Sequence, residues 1–179
     1  MPPSEQHSLS PSRFPVSVIV ERQQEQHGRW SLSRWEAVGV VAGEDTAGQD
    51  IQRTVIRSDD VGEQYLWTGF TVELYKDGAE GYWTNLVGNT PSLYVVCREE
   101  DDEELTPFLV TADCGEAGMH QEIDDTVFSV PMPREVHEWV ERYVVENYVP
   151  QEKKKRKRKN WLEDSIYVQG PQGQKPGRR

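Results

Sequence analysis

Tyr65-Leu66-Trp67-Thr68-Gly69-Phe70-Thr71-Val72-Glu73-Leu74-Tyr75, then Tyr82-Trp83-Thr84-Asn85-Leu86, then Ser92-Leu93-Tyr94-Val95-Val96-Cys97-Arg98 is the stretch whose reading decides the fold class. Leu66, Phe70, Val72 and Leu74 fall on one parity, and Trp67, Glu73 and Tyr75 on the other. That period of two is the signature of a half-buried strand. Asp77-Gly78 and Gly88-Asn89 interrupt the alternation with residues suited to tight turns. Residues 65–98 therefore read as three antiparallel strands, with Tyr82-Trp83-Thr84-Asn85 in the middle one.

The same logic extends outward. Val16, Val18 and Val20 alternate in a β-branched run behind Pro15, which suits a first or edge strand. Residues 23–28 read as a polar connection. Trp35, Ala37 and the run 38–41 make a second strand, with Gly39 marking a bulge or close backbone approach. Residues 43–50 have no periodicity and read as a loop. Thr54-Val55-Ile56 forms a short strand before a polar turn at 58–62, and residues 107–111 and 126–130 supply two more strands. Residues 114–125 read as a loose acidic connection. Pro133 then opens the one clear helix, where Val136, Trp139, Val140, Tyr143, Val144 and Tyr148 recur at three and four residues as a single apolar stripe ending before Pro150.

These elements predict a mainly β (α+β) fold: a bent antiparallel sheet or small barrel of six to eight strands, closed by one C-terminal helix at about 133–149. Residues 1–12 are rich in Pro, Ser and Gln and read as a disordered leader; residues 13–150 form one domain; residues 151–179 read as a disordered basic tail. A chain of 179 residues holds one such domain and not two.

Charge is unevenly divided. The net of −11 conceals a tail with ten Lys/Arg against three Asp/Glu, a net of +7, which leaves −18 on residues 1–150. A body that acidic repels phosphate backbones and attracts basic partners. The tail carries Lys153-Lys154-Lys155-Arg156-Lys157-Arg158-Lys159, a run able to displace counterions from a nucleic acid but nearly devoid of interleaved aromatics. The six acids at 99–104 read as a solvated hairpin loop; they lack the alternate spacing and bend glycine of a calcium loop.

Catalytic signatures are missing. The sequence has no G-x-S-x-G, no P-loop and no dinucleotide-binding glycine pattern, and its histidines are not spaced with Cys, Asp or Glu as metal ligands. Asp59-Asp60 and Asp124-Asp125 read as solvated loop carboxylates rather than an acid/base pair. Cys97 and Cys114 are too few for a disulfide framework and suit a reducing compartment. With no secretory signal and no apolar run of membrane-spanning length, the expectation is a soluble, cytoplasmic protein with no catalytic residues, no cofactor and no metal. The aromatic residues offer partner contacts instead: Arg34, Trp35, Trp67, Tyr82, Trp83 and Asn85 are the candidates for a binding face at one end of the sheet, since interface anchors combine a ring with a few orienting polar groups.

Several segments together resemble a known family: Arg13-Phe-Pro-Val-Ser-Val-Ile-Val-Glu-Arg, Arg34-Trp-Glu-Ala-Val-Gly-Val-Val, Tyr65-Leu-Trp-Thr-Gly-Phe, Glu80-Gly-Tyr-Trp-Thr-Asn-Leu, Pro91-Ser-Leu-Tyr-Val, and the Val130-Pro-Met-Pro helix with its lysine-rich tail. Over roughly residues 13–158 the chain resembles DUF3305, a proteobacterial family of unknown function. The resemblance implies a genomic context beside molybdenum-dependent formate dehydrogenases and their maturation factors, and carries no catalytic residues. Some members bear the label of molybdopterin guanine dinucleotide synthesis. Guanylyltransferases of that kind open with a glycine-rich loop, and residues 14–25 contain no glycine. The expected function is a non-enzymatic accessory protein that binds a formate dehydrogenase subunit or maturation factor. The other reading is a nucleic-acid-associated regulator acting through the basic tail.

Overall fold

A computed structural model describes residues 12–43, 50–99 and 104–150. Among these residues seven strands form two antiparallel sheets, with three α-helices. Sheet A has the order β2-β1-β4-β3, built from β1 (Ser12–His27), β2 (Trp30–Ala42), β3 (Gln52–Ser58) and β4 (Gly62–Leu74). Sheet B has the order β6-β5-β7, from β5 (Ser92–Glu99), β6 (Leu105–Thr111) and β7 (Thr126–Pro131). The helices are α1 (Ala79–Leu86), α2 (Cys114–Glu122) and α3 (Arg134–Asn147). The strand count and antiparallel pairing agree with the sequence pattern. The single sheet or barrel does not: among the described residues the strands divide into two sheets, and no barrel closes. Among the described residues every pairing is antiparallel, unlike the parallel sheet of a doubly wound fold.

One core joins the two sheets and α3. Val16, Val18 and Val20 of β1, with Phe70, Val72 and Leu74 of β4, share it with Leu93, Val95 and Cys97 of β5, Val110, Val130, and the Val136, Val140 and Val144 stripe of α3. Each of those helix valines, buried as seen, contributes on the order of 1.5–2 kcal/mol of transfer free energy. This is why a helix of 14 residues, too short to persist alone, is stable here. Pro133 stands at its N-cap rather than inside its first turn, and Phe14 of β1 packs its ring on Trp139 at 5.2 Å.

The strands run past the limits their patterns set. Residues 23–27 continue β1 instead of forming a connection, pairing through His27 with Trp30. Gly28, at φ 65, opens the two-residue loop, the position where a hairpin turn of this length demands a left-handed residue. The bulge expected at Gly39 is present: Ile19 faces Gly39 while Val20 faces Ala37, leaving Val38 as the extra residue. A second bulge overturns the parity read in β4. Val16 faces Phe70 but Val18 faces Trp67, so Thr68 and Gly69 span one partner residue, and Gly69 takes φ 93. The face therefore changes at Gly69. Tyr65 and Trp67 join Phe70, Val72 and Leu74 on the core side, and Leu66 does not.

Two other segments were misread. Tyr82, Trp83 and Asn85 lie in α1, not in a strand. Aromatic and β-branched residues favour strands, but Ala79, Tyr82 and Asn85 are buried at intervals of three, and packing of that face outweighs propensity. Residues 114–122 are helical rather than loose. Two glycines and weak amphipathicity hide α2 in the sequence; Asp113 caps it by accepting from Gly115 N at 2.8 Å, and Ala117 is buried on the sheet B side. The acid run joins β5 to β6, whose register places Glu99 opposite Leu105; residues 100–103 lie outside the described set, as do the leader at 1–11 and the tail at 151–179.

Candidate functional site

The end of sheet A that the core does not cover is made by the outer halves of β1 and β2, by β3, and by the start of β4. Alternation on the hairpin arm places Trp30, Leu32 and Arg34 on one face, paired with His27, Glu25 and Gln23. Trp30 is 78% exposed and Leu32 59%. Large apolar side chains this open at the tip of a two-stranded arm do no work in the fold. Arg34 lies within ion-pair distance of Glu25 at 3.9 Å and of Glu36 at 3.7 Å.

The opposite, core-side face of the same end holds an aromatic and guanidinium cluster. Register sets Arg22 beside Trp35, Val18 beside Trp67, and Arg53 beside Trp67. Trp35 stacks on Tyr65 at 5.8 Å. Arg22 lies over Trp35 at 5.6 Å, and Arg53 lies over Tyr65 at 5.0 Å and Trp67 at 5.6 Å, distances at which the ring quadrupole attracts a cation. The Tyr65 hydroxyl donates to Glu63 at 2.5 Å; burial first, and this hydrogen bond second, push its pKa up. Arg53 pairs with Glu104 across to sheet B. The indole N–H of Trp67 is buried with no acceptor among the described residues.

Beside this cluster opens a groove of about 330 Å³ lined by Arg22, Gln24, Ser58, Asp59, Asp60, Gly62 and Glu63. The Asp59 carboxylate accepts from Val61 N at 3.0 Å and Gly62 N at 3.1 Å, and these backbone donors hold its pKa low. The carboxylates here serve the turn and the ion pairs.

The six residues proposed from sequence do not meet in one place. Arg34, Trp35 and Trp67 belong to the uncovered end of sheet A. Tyr82, Trp83 and Asn85 belong to α1, whose two rings pack toward α3: Tyr82 meets Tyr143 at 6.2 Å and Trp83 stacks on Tyr148 at 5.4 Å. Tyr82 is buried, accepts from Tyr75 N at 3.1 Å, and has its pKa pushed up to about 12 by desolvation. Trp83 is 39% exposed, so one ring of the adjacent pair is buried and one open, although by helical rotation instead of strand alternation. Asn85 is a buried structural residue. Its amide donates to Ser92 O at 2.7 Å and Ala112 O at 2.8 Å and accepts from Ser92 N at 3.0 Å, which ties α1 to β5 and to the end of β6. The basic residues Lys153 to Lys159 lie outside the described set.

One constellation escaped sequence reading. His120 and Asp125, which the sequence spacing does not pair, join at 2.7 Å between Nδ1 and Oδ2. Asp125 also accepts from Arg98 Nε at 3.1 Å, and Arg98 covers Phe108 at 4.1 Å. The spacing of five residues carried the signal only if α2 and its turn at Asp124, φ 66, had been foreseen. Hydrogen bonds from His120 and Arg98 hold the Asp125 pKa low. The thiols differ: Cys97 is buried and pushed up to about 12, while Cys114 is exposed. Among the described residues no group of three His, Cys, Asp or Glu is gathered to hold a metal ion, and no helix is long and apolar enough to cross a membrane.

The profile of one family, described as a protein of unknown function, DUF3305, matches residues 15–157. The chain belongs to the DUF3305 family. The match spans both sheets and all three helices, and its description assigns no reaction to them. No curated protein and no solved structure matches this DUF3305 chain.

Proposed function

We propose that this chain is a non-catalytic accessory protein that binds another protein through the uncovered end of sheet A. The observation that carries this reading is the pair Trp30 and Leu32, 78% and 59% exposed at the tip of the β1–β2 arm. Exposed aromatic and aliphatic side chains beside an orienting polar group, here Arg34 on the same face, are the usual anchors of an interface. The partner proposed is a subunit or maturation factor of a molybdenum-dependent formate dehydrogenase, the context that the family resemblance implies.

Capture of the purified formate dehydrogenase subunits and maturation factors by the full chain tests this. With the double variant Trp30→Ala/Leu32→Ser, affinity falls at least ~10-fold, the ~1.4 kcal/mol that one anchor supplies, while the melting temperature stays unchanged because neither side chain is buried. Capture insensitive to this variant and to Arg34→Ala overturns the assignment of the surface; no capture of any of these proteins overturns the assignment of the partner. The alternative, a nucleic-acid-associated regulator acting through Lys153 to Lys159, requires binding that collapses between low and moderate salt and disappears when residues 151–179 are removed.

A further inference from the structure

Trp83 and Tyr148 stack at 5.4 Å, joining the last turn of α1 to the C-terminal end of α3. The side chains next to this ring pair are apolar and open. Val87 follows Trp83 by one helical turn and therefore lies on the same side of α1; it is 61% exposed. Val145 precedes Tyr148 by three residues on α3 and is 78% exposed. Neither valine adds to the core, yet together they border a stack whose tryptophan is itself partly uncovered. An exposed ring with aliphatic side chains on both flanks has the make-up of an interface anchor.

Charge sets what fits there. Glu80 precedes Trp83 by three residues and Glu141 precedes Val145 by four, so both carboxylates stand beside the apolar side chains. Both residues are exposed, and neither carboxylate has a hydrogen bond or ion pair among the described residues. Residues 79–90 and 141–150 hold three acids, Glu80, Glu141 and Glu146, against Arg142 alone. Elsewhere the chain places its own cations on its rings: Arg22 lies over Trp35, Arg53 over Tyr65 and Trp67, and Arg98 over Phe108. Among the described residues no Lys or Arg lies over Trp83 or Tyr148. A ring with carboxylates beside it and no cation of its own attracts a guanidinium or ammonium from outside, by the ring quadrupole and by charge-assisted hydrogen bonds together. Val87 and Val145 then receive the aliphatic neighbours of that cation.

We propose that the Trp83–Tyr148 stack, with Val87, Val145, Glu80 and Glu141, is a docking surface for a basic segment of a partner protein, one in which Arg or Lys side chains are interspersed with aliphatic ones. The inference does not rest on the β1–β2 arm, and either surface can fail without the other. Fluorescence anisotropy of labelled peptides titrated with the full chain tests it. The probe carries leucine at every fourth position with arginine and serine between; in its control, glutamate replaces arginine. The arginine peptide binds at least ~10-fold more tightly than the control. Val87→Ser/Val145→Ser and Glu80→Lys/Glu141→Lys each weaken it at least ~10-fold, and all four side chains are exposed, so the fold is kept. Trp30→Ala/Leu32→Ser leaves the affinity unchanged, as does Glu99→Lys/Glu122→Lys, a charge reversal of the same size at exposed acids elsewhere. Equal binding of the two peptides overturns the proposal, and so does an affinity that the Val87/Val145 variant retains. Equal losses from the two charge reversals also overturn it, by reducing the binding to general attraction toward an acidic body. Self-association of the chain that disappears in the Val87/Val145 variant overturns it as well, by assigning the surface to a second copy.

Discussion

Replacing Asn85 with Ala tests the claim that this residue is a structural tie rather than a contact for a partner. The side chain makes three hydrogen bonds, to Ser92 O, Ala112 O and Ser92 N, and both partner residues are buried, Ser92 at 6% exposure and Ala112 at 0%. A net ~1 kcal/mol for each bond gives ~3 kcal/mol. The three backbone groups left in a dry interior raise the cost toward ~5 kcal/mol if no water replaces the amide. For a domain of this size ~3 kcal/mol lowers the melting temperature on the order of 10 °C. Asn85→Asp is worse at neutral pH, because a carboxylate faces two carbonyl oxygens and keeps neither donor. Burial raises the folded-state pKa of the introduced carboxyl above its unfolded value near ~3.9. Its extra destabilisation is therefore absent below the unfolded pKa and grows as pH rises toward the folded one. Urea unfolding followed by circular dichroism at pH 4 and pH 7 reads both effects as shifts in midpoint at constant m-value. A loss below ~1 kcal/mol for Asn85→Ala, or an Asn85→Asp penalty that is the same at both pH values, refutes the reasoning.

Gly69→Ala forces a side chain into φ 93, with a Cβ 3.1 Å from Asp50 O; a loss of ~2 kcal/mol in chemical denaturation is expected, and an unchanged midpoint means that the bulge is not needed. Trp139→Ala removes a half-buried ring that packs on Phe14 and costs ~3 kcal/mol by cavity formation; a melting temperature equal to that of the unmodified protein shows that α3 is not docked. Asp125, its pKa lowered by the His120 and Arg98 hydrogen bonds, adds stability that is full above the unfolded carboxyl pKa near ~3.9 and lost as pH falls through the folded value. Asp125→Asn should thus weaken the protein at neutral pH and converge with it in acid; parallel curves across pH 2–7 contradict the assignment.

What the sequence determined by itself was local and periodic. Val16, Val18 and Val20 declare a half-buried strand, and Val136, Val140 and Val144 declare one face of a helix, because in each case the buried side is repeated at the period of the element. Gly39 announced its bulge for a similar reason, being the residue in that run that can bend without steric cost. The aromatic and arginine composition of the sheet end was also legible, but only as a set of residue types.

The tertiary structure decided everything that depends on distant partners. Whether Leu66 or Trp67 faces the core turns on Gly69, where one extra residue reverses the parity; the alternation alone reads through it. Tyr82, Trp83 and Asn85 have the composition of a strand and became a helix because Tyr143, Tyr148, Ser92 and Ala112 wait on the faces that a helix presents. His120 met Asp125 only because a weakly amphipathic segment was capped by Asp113 and held on sheet B. The division into two sheets has the same origin: local propensity sets what a segment can be, while the burial of its faces against segments far away in sequence sets what it is.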